Sequence, residues 1–279
     1  MDDRKQRPTG TAGVQFLDRL RAGDLTLMLG IRGSRTTDVV GIAHSTGHHC
    51  IMVDLQHSTM PTDVAAALCT AAGSLGMTAL VRIPEGEYGM IGRVLDGGAH
   101  GVIAPRIETV EEARRVARAC RFAPRGQRSQ TSQVPQFGMR PTPAAELNPA
   151  LDESVVVQML LETPKGIANA DAIAAQDGVD MLAIGANDLT TELGVPGRFD
   201  DPRIEDAVAT VAEACRRHRK LLMVAGIRDQ STYESLVPLG VCPLVLTGMD
   251  TMLLYQAAAA SAERAIASNQ ATRQHHAMS

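Results

Sequence analysis

The sequence predicts a single (β/α)8 TIM barrel in the α/β class. Eight short apolar runs alternate with helical patterns along 279 residues. Ala79-Leu-Val81, Val155-Val-Val157 and Leu221-Leu-Met-Val224 are continuously apolar, as parallel strands covered on both faces require. Charged residues stand just beyond several runs, at Asp54, Arg82, Arg106 and Glu162 and, after a short turn, Asp188.

In chain order, a helix over about 12–22 precedes the first strand and plugs the barrel bottom. Strands are expected at about 25–31, 50–54, 78–82, 101–105, 155–161, 181–184, 221–225 and 243–247. Period-3.6 patterns place helices at Thr62–Leu75, Glu87–Asp96, Thr109–Cys120, Gly166–Ala175, Pro202–His218 and Thr251–Ala267. Thr109 followed by Glu111 and Glu112 reads as a helix start. Asn148 and Asp152 are expected in a polar loop before strand five. The barrel domain spans 1–267, with 1–11 flexible, and a polar tail containing His275 and His276 follows over 268–279. An open doubly wound sheet is the competing fold, but Gly30-Ile-Arg-Gly33 is a poor dinucleotide loop.

Composition excludes several function classes. A net charge of −4 without a basic stripe argues against nucleic acid and anionic membranes as partners. Aromatics at 3% cannot build a base-stacking platform and leave an aliphatic core. The five scattered cysteines form no C-x-x-C pair, which reads as buried apolar residues in a reducing, cytoplasmic compartment. No signal peptide or membrane-spanning stretch is read.

Glu162 and Asp188, at neighbouring strand ends with no His or Cys nearby, suit a hard divalent ion such as Mg2+ or Mn2+. Helix capping is the competing role. His57 has a side chain whose ordinary pKa of about 6.5 suits a general base, against a solvated loop residue. Asp96 could orient it, against an exposed helix-end acid. Arg82 can hold a keto or enolate oxygen as charge develops, against a structural ion pair. With Arg106 and Arg32 it makes the mouth cationic, favouring anionic substrates. The span Arg121–Asp152 exceeds an ordinary loop and carries Arg125, Arg128, Ser129, Ser132 and Arg140. That suits an anionic ligand, a solvated excursion or a subunit contact.

Val53-Asp-Leu-Gln-His57, Leu80-Val-Arg-Ile-Pro84, Val94-Leu-Asp-Gly-Gly-Ala99, Leu161-Glu-Thr163 and Ile184-Gly-Ala-Asn-Asp-Leu189 together resemble the class II pyruvate aldolases of the HpcH/HpaI type. The resemblance covers about residues 15–265. It implies a metal-dependent carbon–carbon lyase that reversibly cleaves a 4-hydroxy-2-oxo acid to pyruvate and an aldehyde through a metal-stabilised enolate. It also implies a trimer of dimers, with a C-terminal helix exchanged between subunits, and Mg2+, Mn2+ or Co2+ as cofactor. Carried over, Glu162 and Asp188 are the metal ligands, His57 the base, Asp96 the acid raising its basicity, and Arg82 the transition-state arginine. Asp54 stands beside metal-bound water, the backbone N–H groups of Asn187 and Asp188 hold the pyruvate carboxylate, and Ser132 matches a serine there. Leu160 replaces the family's usual glutamine, with Gln158 two residues back, and Gly185-Ala-Asn-Asp188 replaces Gly-Pro-Ala-Asp. Rival readings are an acyl-CoA lyase of the citrate/malyl lyase type, an oxaloacetate-type decarboxylase, and a non-catalytic barrel that binds metal or a 2-oxo acid.

Overall fold

A computed structural model describes residues 12–227 and 229–278. The parallel strands are β1 (Thr26–Ile31), β2 (Cys50–Asp54), β3 (Thr78–Arg82), β4 (Gly101–Ala104), β5 (Val156–Leu161), β6 (Met181–Gly185), β7 (Leu221–Ala225) and β8 (Leu244–Met249). They pair in the order β7-β6-β5-β4-β3-β2-β1-β8. The strand lead-in closes the remaining seam. Val241 bridges Leu222, and Cys242 donates its N–H to Leu222 at 2.7 Å.

The helices are α1 (Ala12–Arg21), α2 (Asp38–Ser45), α3 (Thr62–Ser74), α4 (Ile91–Asp96), α5 (Val110–Cys120), α6 (Ala144–Ser154), α7 (Pro164–Ala168), α8 (Ala170–Ala174), α9 (Ala186–Glu192), α10 (Pro202–His218), α11 (Gln230–Leu236) and α12 (Asp250–Met278). Each first turn needs partners for its free N–H groups. Thr109 and Glu112 form a reciprocal capping box on α5, and Thr163 and Asp201 cap α7 and α10. α1 lies across the strands' N-terminal ends, where the Ala12 carbonyl accepts from Thr78 Oγ1 at 3.1 Å.

Alternation along the strands makes two cores. Inward side chains, including Met28, Cys50, Met52, Leu80, Val156, Leu160, Met181 and Ala183, fill the barrel and meet Phe16, Leu17 and Leu20 of α1. Outward ones, including Ile51, Val53, Val81, Val157 and Ile184, pack under the helices. Truncating a buried leucine such as Leu80 to alanine would cost roughly 2–5 kcal/mol.

The fold departs from the expected elements at three places. Asn148 and Asp152 lie in α6 rather than in a loop. Its two inward leucines, Leu147 and Leu151, carry the helix although Pro149 lies inside it. The helix expected over Gly166–Ala175 is two short ones meeting at Asn169. The last helix runs to Met278 instead of giving way to a tail at 268. From 250 to 278 there is no glycine or proline to stop it. The proposed flexible segment 1–11 lies outside the described residues. Among the described residues, no helix is long and apolar enough to cross a membrane.

Candidate active site

The inward face that holds Met28, Met52, Leu80 and Leu160 continues, two residues further along each strand, to Gly30, Asp54, Arg82 and Glu162, and beyond Gly30 to Arg32, just past the end of β1. Four strands thus aim polar groups at one rim, the C-terminal end, where such barrels place their chemistry.

Asp54 is fully buried. Its Oδ1 accepts from Arg82 Nε at 3.0 Å and its Oδ2 from Arg82 Nη2 at 2.7 Å. Oδ1 also accepts the backbone N–H groups of Gln56 and His57, at 3.1 and 3.3 Å. One carboxylate therefore orients the guanidinium and folds the turn that carries His57, whose side chain is exposed.

Glu162 is 3% exposed, and its Oε1 accepts the Arg106 N–H at 2.9 Å. Arg106 takes a positive φ of 51° to present that N–H, a left-handed conformation costing a non-glycine residue about 1 kcal/mol or more. Asp188 stands in the first turn of α9. Burial, then the hydrogen bond and negative charge of Asp188, push the Glu162 carboxyl up to about 8, while the Arg106 N–H and the Arg82 charge oppose the shift. Gly185 makes the space, since a Cβ there would lie 2.6 Å from Glu162 Oε2. A Glu162 carboxyl kept protonated by burial beside Asp188 fits a divalent cation, which would replace that proton. Among the described residues, no group of three or more His, Cys, Asp or Glu gathers for a metal. A pair would leave positions for water and substrate oxygens.

The mouth is less cationic than its arginines suggest. Arg106 pairs with Glu192 at 2.7 Å and approaches Glu85 at 3.8 Å. Lys165 pairs with Glu108 at 3.0 Å.

Asp96 and Ser132 are not brought to this rim by their own chain. Asp96 ends α4, just before β4 begins, and Ser132 lies between α5 and β5. Both connections run at the N-terminal end of the barrel, whereas His57 follows the C-terminal end of β2. Asp96 instead accepts from Arg128 at 2.8 Å, and the Arg128 side chain is fully buried with its guanidinium 4.8 Å from the Phe122 ring centre. Arg125 pairs with Asp177 at 3.3 Å. Two arginines of the long span, Arg125 and Arg128, thus hold structural ion pairs. Gly185 stood in the sequence only as part of a motif, without its spacing role, and Asp250 went unread there. Asp250, directly after β8, accepts the N–H groups of Arg32, Gly33 and Ser34.

Residues 28–238 match the model of the HpcH/HpaI aldolase/citrate lyase family. The chain belongs to this family. Membership makes it a carbon–carbon lyase, and members generally depend on a divalent metal ion. It is 39% identical over 214 residues to the 4-hydroxy-4-methyl-2-oxoglutarate aldolase of Hapsidospora irregularis, covering 75% of this chain and 78% of that one. The enzyme of the same description from Chaetomium globosum is 36% identical, covering 87% and 91%. The HpcH/HpaI aldolase structure from Desulfitobacterium hafniense superposes with a TM-score of 0.82 at 24% identity, covering 88% and 95%.

Proposed function

We propose that the chain is a divalent-metal-dependent aldolase that reversibly cleaves a 4-hydroxy-2-oxo acid into pyruvate and a carbonyl compound. The pairing of Glu162 with Asp188 beside the Arg82–Asp54 ion pair carries this reading. The names of the two fungal relatives, both 4-hydroxy-4-methyl-2-oxoglutarate aldolases, support it.

Glu162 and Asp188 would hold Mg2+ or Mn2+, which when bound supplies Lewis-acid stabilisation of negative charge on the 2-oxo acid. The free N–H groups of Asn187 and Asp188 at the start of α9 would take the substrate's C1 carboxylate. His57 removes the proton of the C4 hydroxyl. The O–H electron pair becomes the new carbonyl bond, the C3–C4 bond breaks, and its electrons enter the C2–C3 enolate. Arg82 holds the developing oxyanion, already oriented by Asp54. Return of a proton to C3 gives pyruvate.

Within this proposal the assembly is a homo-oligomer. Asp96 and Ser132 then serve the rim of a neighbouring copy, since their own rim lies at the barrel's other end. Leu254 and Tyr255 on α12, exposed at 71% and 74%, support an exchanged helix. The five buried free cysteines support a reducing, cytoplasmic setting. Pyruvate release from 4-hydroxy-2-oxo acids, with and without EDTA, tests the reading. Turnover that survives metal removal, or trapping of the enzyme by borohydride, would overturn it.

A further inference from the structure

Among the mouth arginines, Arg82 is matched by Asp54, and Arg106 by Glu192 and Glu85. Arg32 forms no ion pair with a carboxylate among the described residues. Its place is nonetheless built. The β1–β2 register Ile31↔Val53 sets Arg32 beside Asp54, and alternation from Met28 and Gly30 turns it inward. It is half-buried, and Nη2 donates to Thr251 Oγ1 at 3.1 Å.

The backbone beneath it is clamped on both sides. Asp250 accepts from the N–H groups of Arg32 at 2.9 Å, Gly33 at 3.0 Å and Ser34 at 2.6 Å. Burial pushes the Asp250 carboxyl up, but these donors outweigh it and hold it below its ordinary value. The Asp250 charge is thus taken up by the backbone. Arg35 Nη1 donates to the carbonyls of Arg32 and Gly33 at 2.9 and 2.8 Å. A guanidinium on so fixed a base loses little freedom on binding a planar anion.

Position decides which anion. β1 is four ladders from β5, so Arg32 faces Glu162 across the mouth. Two inter-strand spacings, roughly 10 Å, separate its backbone from that of Arg82. His57, on the β2 turn, lies between the two ends. A 2-oxo acid with its C1 end at Glu162 and Asp188 and its C4 hydroxyl at His57 would point its far end at β1.

We infer that Arg32 is a specificity residue binding a second carboxylate, carried on or beyond C4, and that the preferred substrates are dicarboxylic 4-hydroxy-2-oxo acids. This rests on the aldolase reading above.

The test compares 4-hydroxy-2-oxoglutarate with 4-hydroxy-2-oxopentanoate, in which a methyl group replaces the far carboxylate. The wild type should favour the dicarboxylate in kcat/KM. Arg32→Gln should lower that ratio about 10- to 100-fold, the weight of a charge-assisted pair, and Arg32→Lys should restore part of it. A ratio is insensitive to a general loss of folded protein. As a binding readout, 2-oxoglutarate should compete better than 2-oxopentanoate in the wild type, and lose that advantage in Arg32→Gln. A wild type without preference, or a ratio unchanged in Arg32→Gln, would overturn the inference and leave the aldolase reading standing. A wild type that cleaves neither substrate would overturn the aldolase reading itself.

Discussion

Arg82 grips Asp54 through two parallel hydrogen bonds, 3.0 Å from Nε to Oδ1 and 2.7 Å from Nη2 to Oδ2. The same Oδ1 anchors the turn to His57, so the proposed base and oxyanion holder are set by one buried acid. Asp54→Ala should cut kcat/KM on the order of 100-fold by releasing both groups. It should also destabilise the fold by about 3 kcal/mol, because Arg82 loses its partner in a largely buried pair. Steady-state kinetics and denaturant unfolding measure the two effects.

Gly185→Ala should act on the metal site with little effect elsewhere. The added Cβ would sit 2.6 Å from Glu162 Oε2, forcing the carboxylate aside. Titration calorimetry with Mn2+ should show affinity weakened about tenfold or more, as when a supporting neighbour of a metal ligand is lost. Unchanged affinity would mean that Glu162 does not bind the ion in this position.

Metal affinity should depend on pH with a definite sign. Glu162, raised to about 8, holds a proton in the metal-free protein near neutrality. An incoming cation must displace it. Apparent Mg2+ affinity should therefore climb as pH rises towards about 8 and level off above. Proton release on binding, read from calorimetry in buffers of different ionisation enthalpy, checks this.

A second titration belongs to the fold. His100 is buried, and its Nδ1 accepts the Ala79 N–H at 3.1 Å, so burial lowers its pKa to about 4. The folded chain keeps this ring neutral while the unfolded chain protonates it near the ordinary value of about 6.5. Its contribution is complete above that pH and is lost as pH falls towards about 4. His100→Gln should flatten the acid side of the melting-temperature profile over that interval.

The barrel was legible because each strand is a short apolar run bounded by polar residues, and β2, β3 and β7 match the expected bounds. α2 and α9 were harder to see. They have eight and seven residues, too few turns to establish a period. Of the site, the strand-end residues Asp54, Arg82 and Glu162 were visible as interruptions of apolar runs. For Asp96 and Ser132 the barrel end went unread, because motif order says nothing about which end a residue occupies. A signal was available: Asp96 ends a helix and Ser132 follows one, and each precedes a strand, which places them at the N-terminal end. Asp250 hid because its work is done through the backbone of residues 32–34.

The proposed aldol cleavage depends on an ion held by Glu162 and Asp188. Its most direct test is pyruvate release from 4-hydroxy-2-oxoglutarate and 4-hydroxy-2-oxopentanoate by EDTA-treated protein, before and after Mg2+ or Mn2+ is restored, beside Glu162→Gln. We expect no release without metal, recovery when it is added, and no recovery in Glu162→Gln. Full turnover by the EDTA-treated protein, or by Glu162→Gln, would contradict the account.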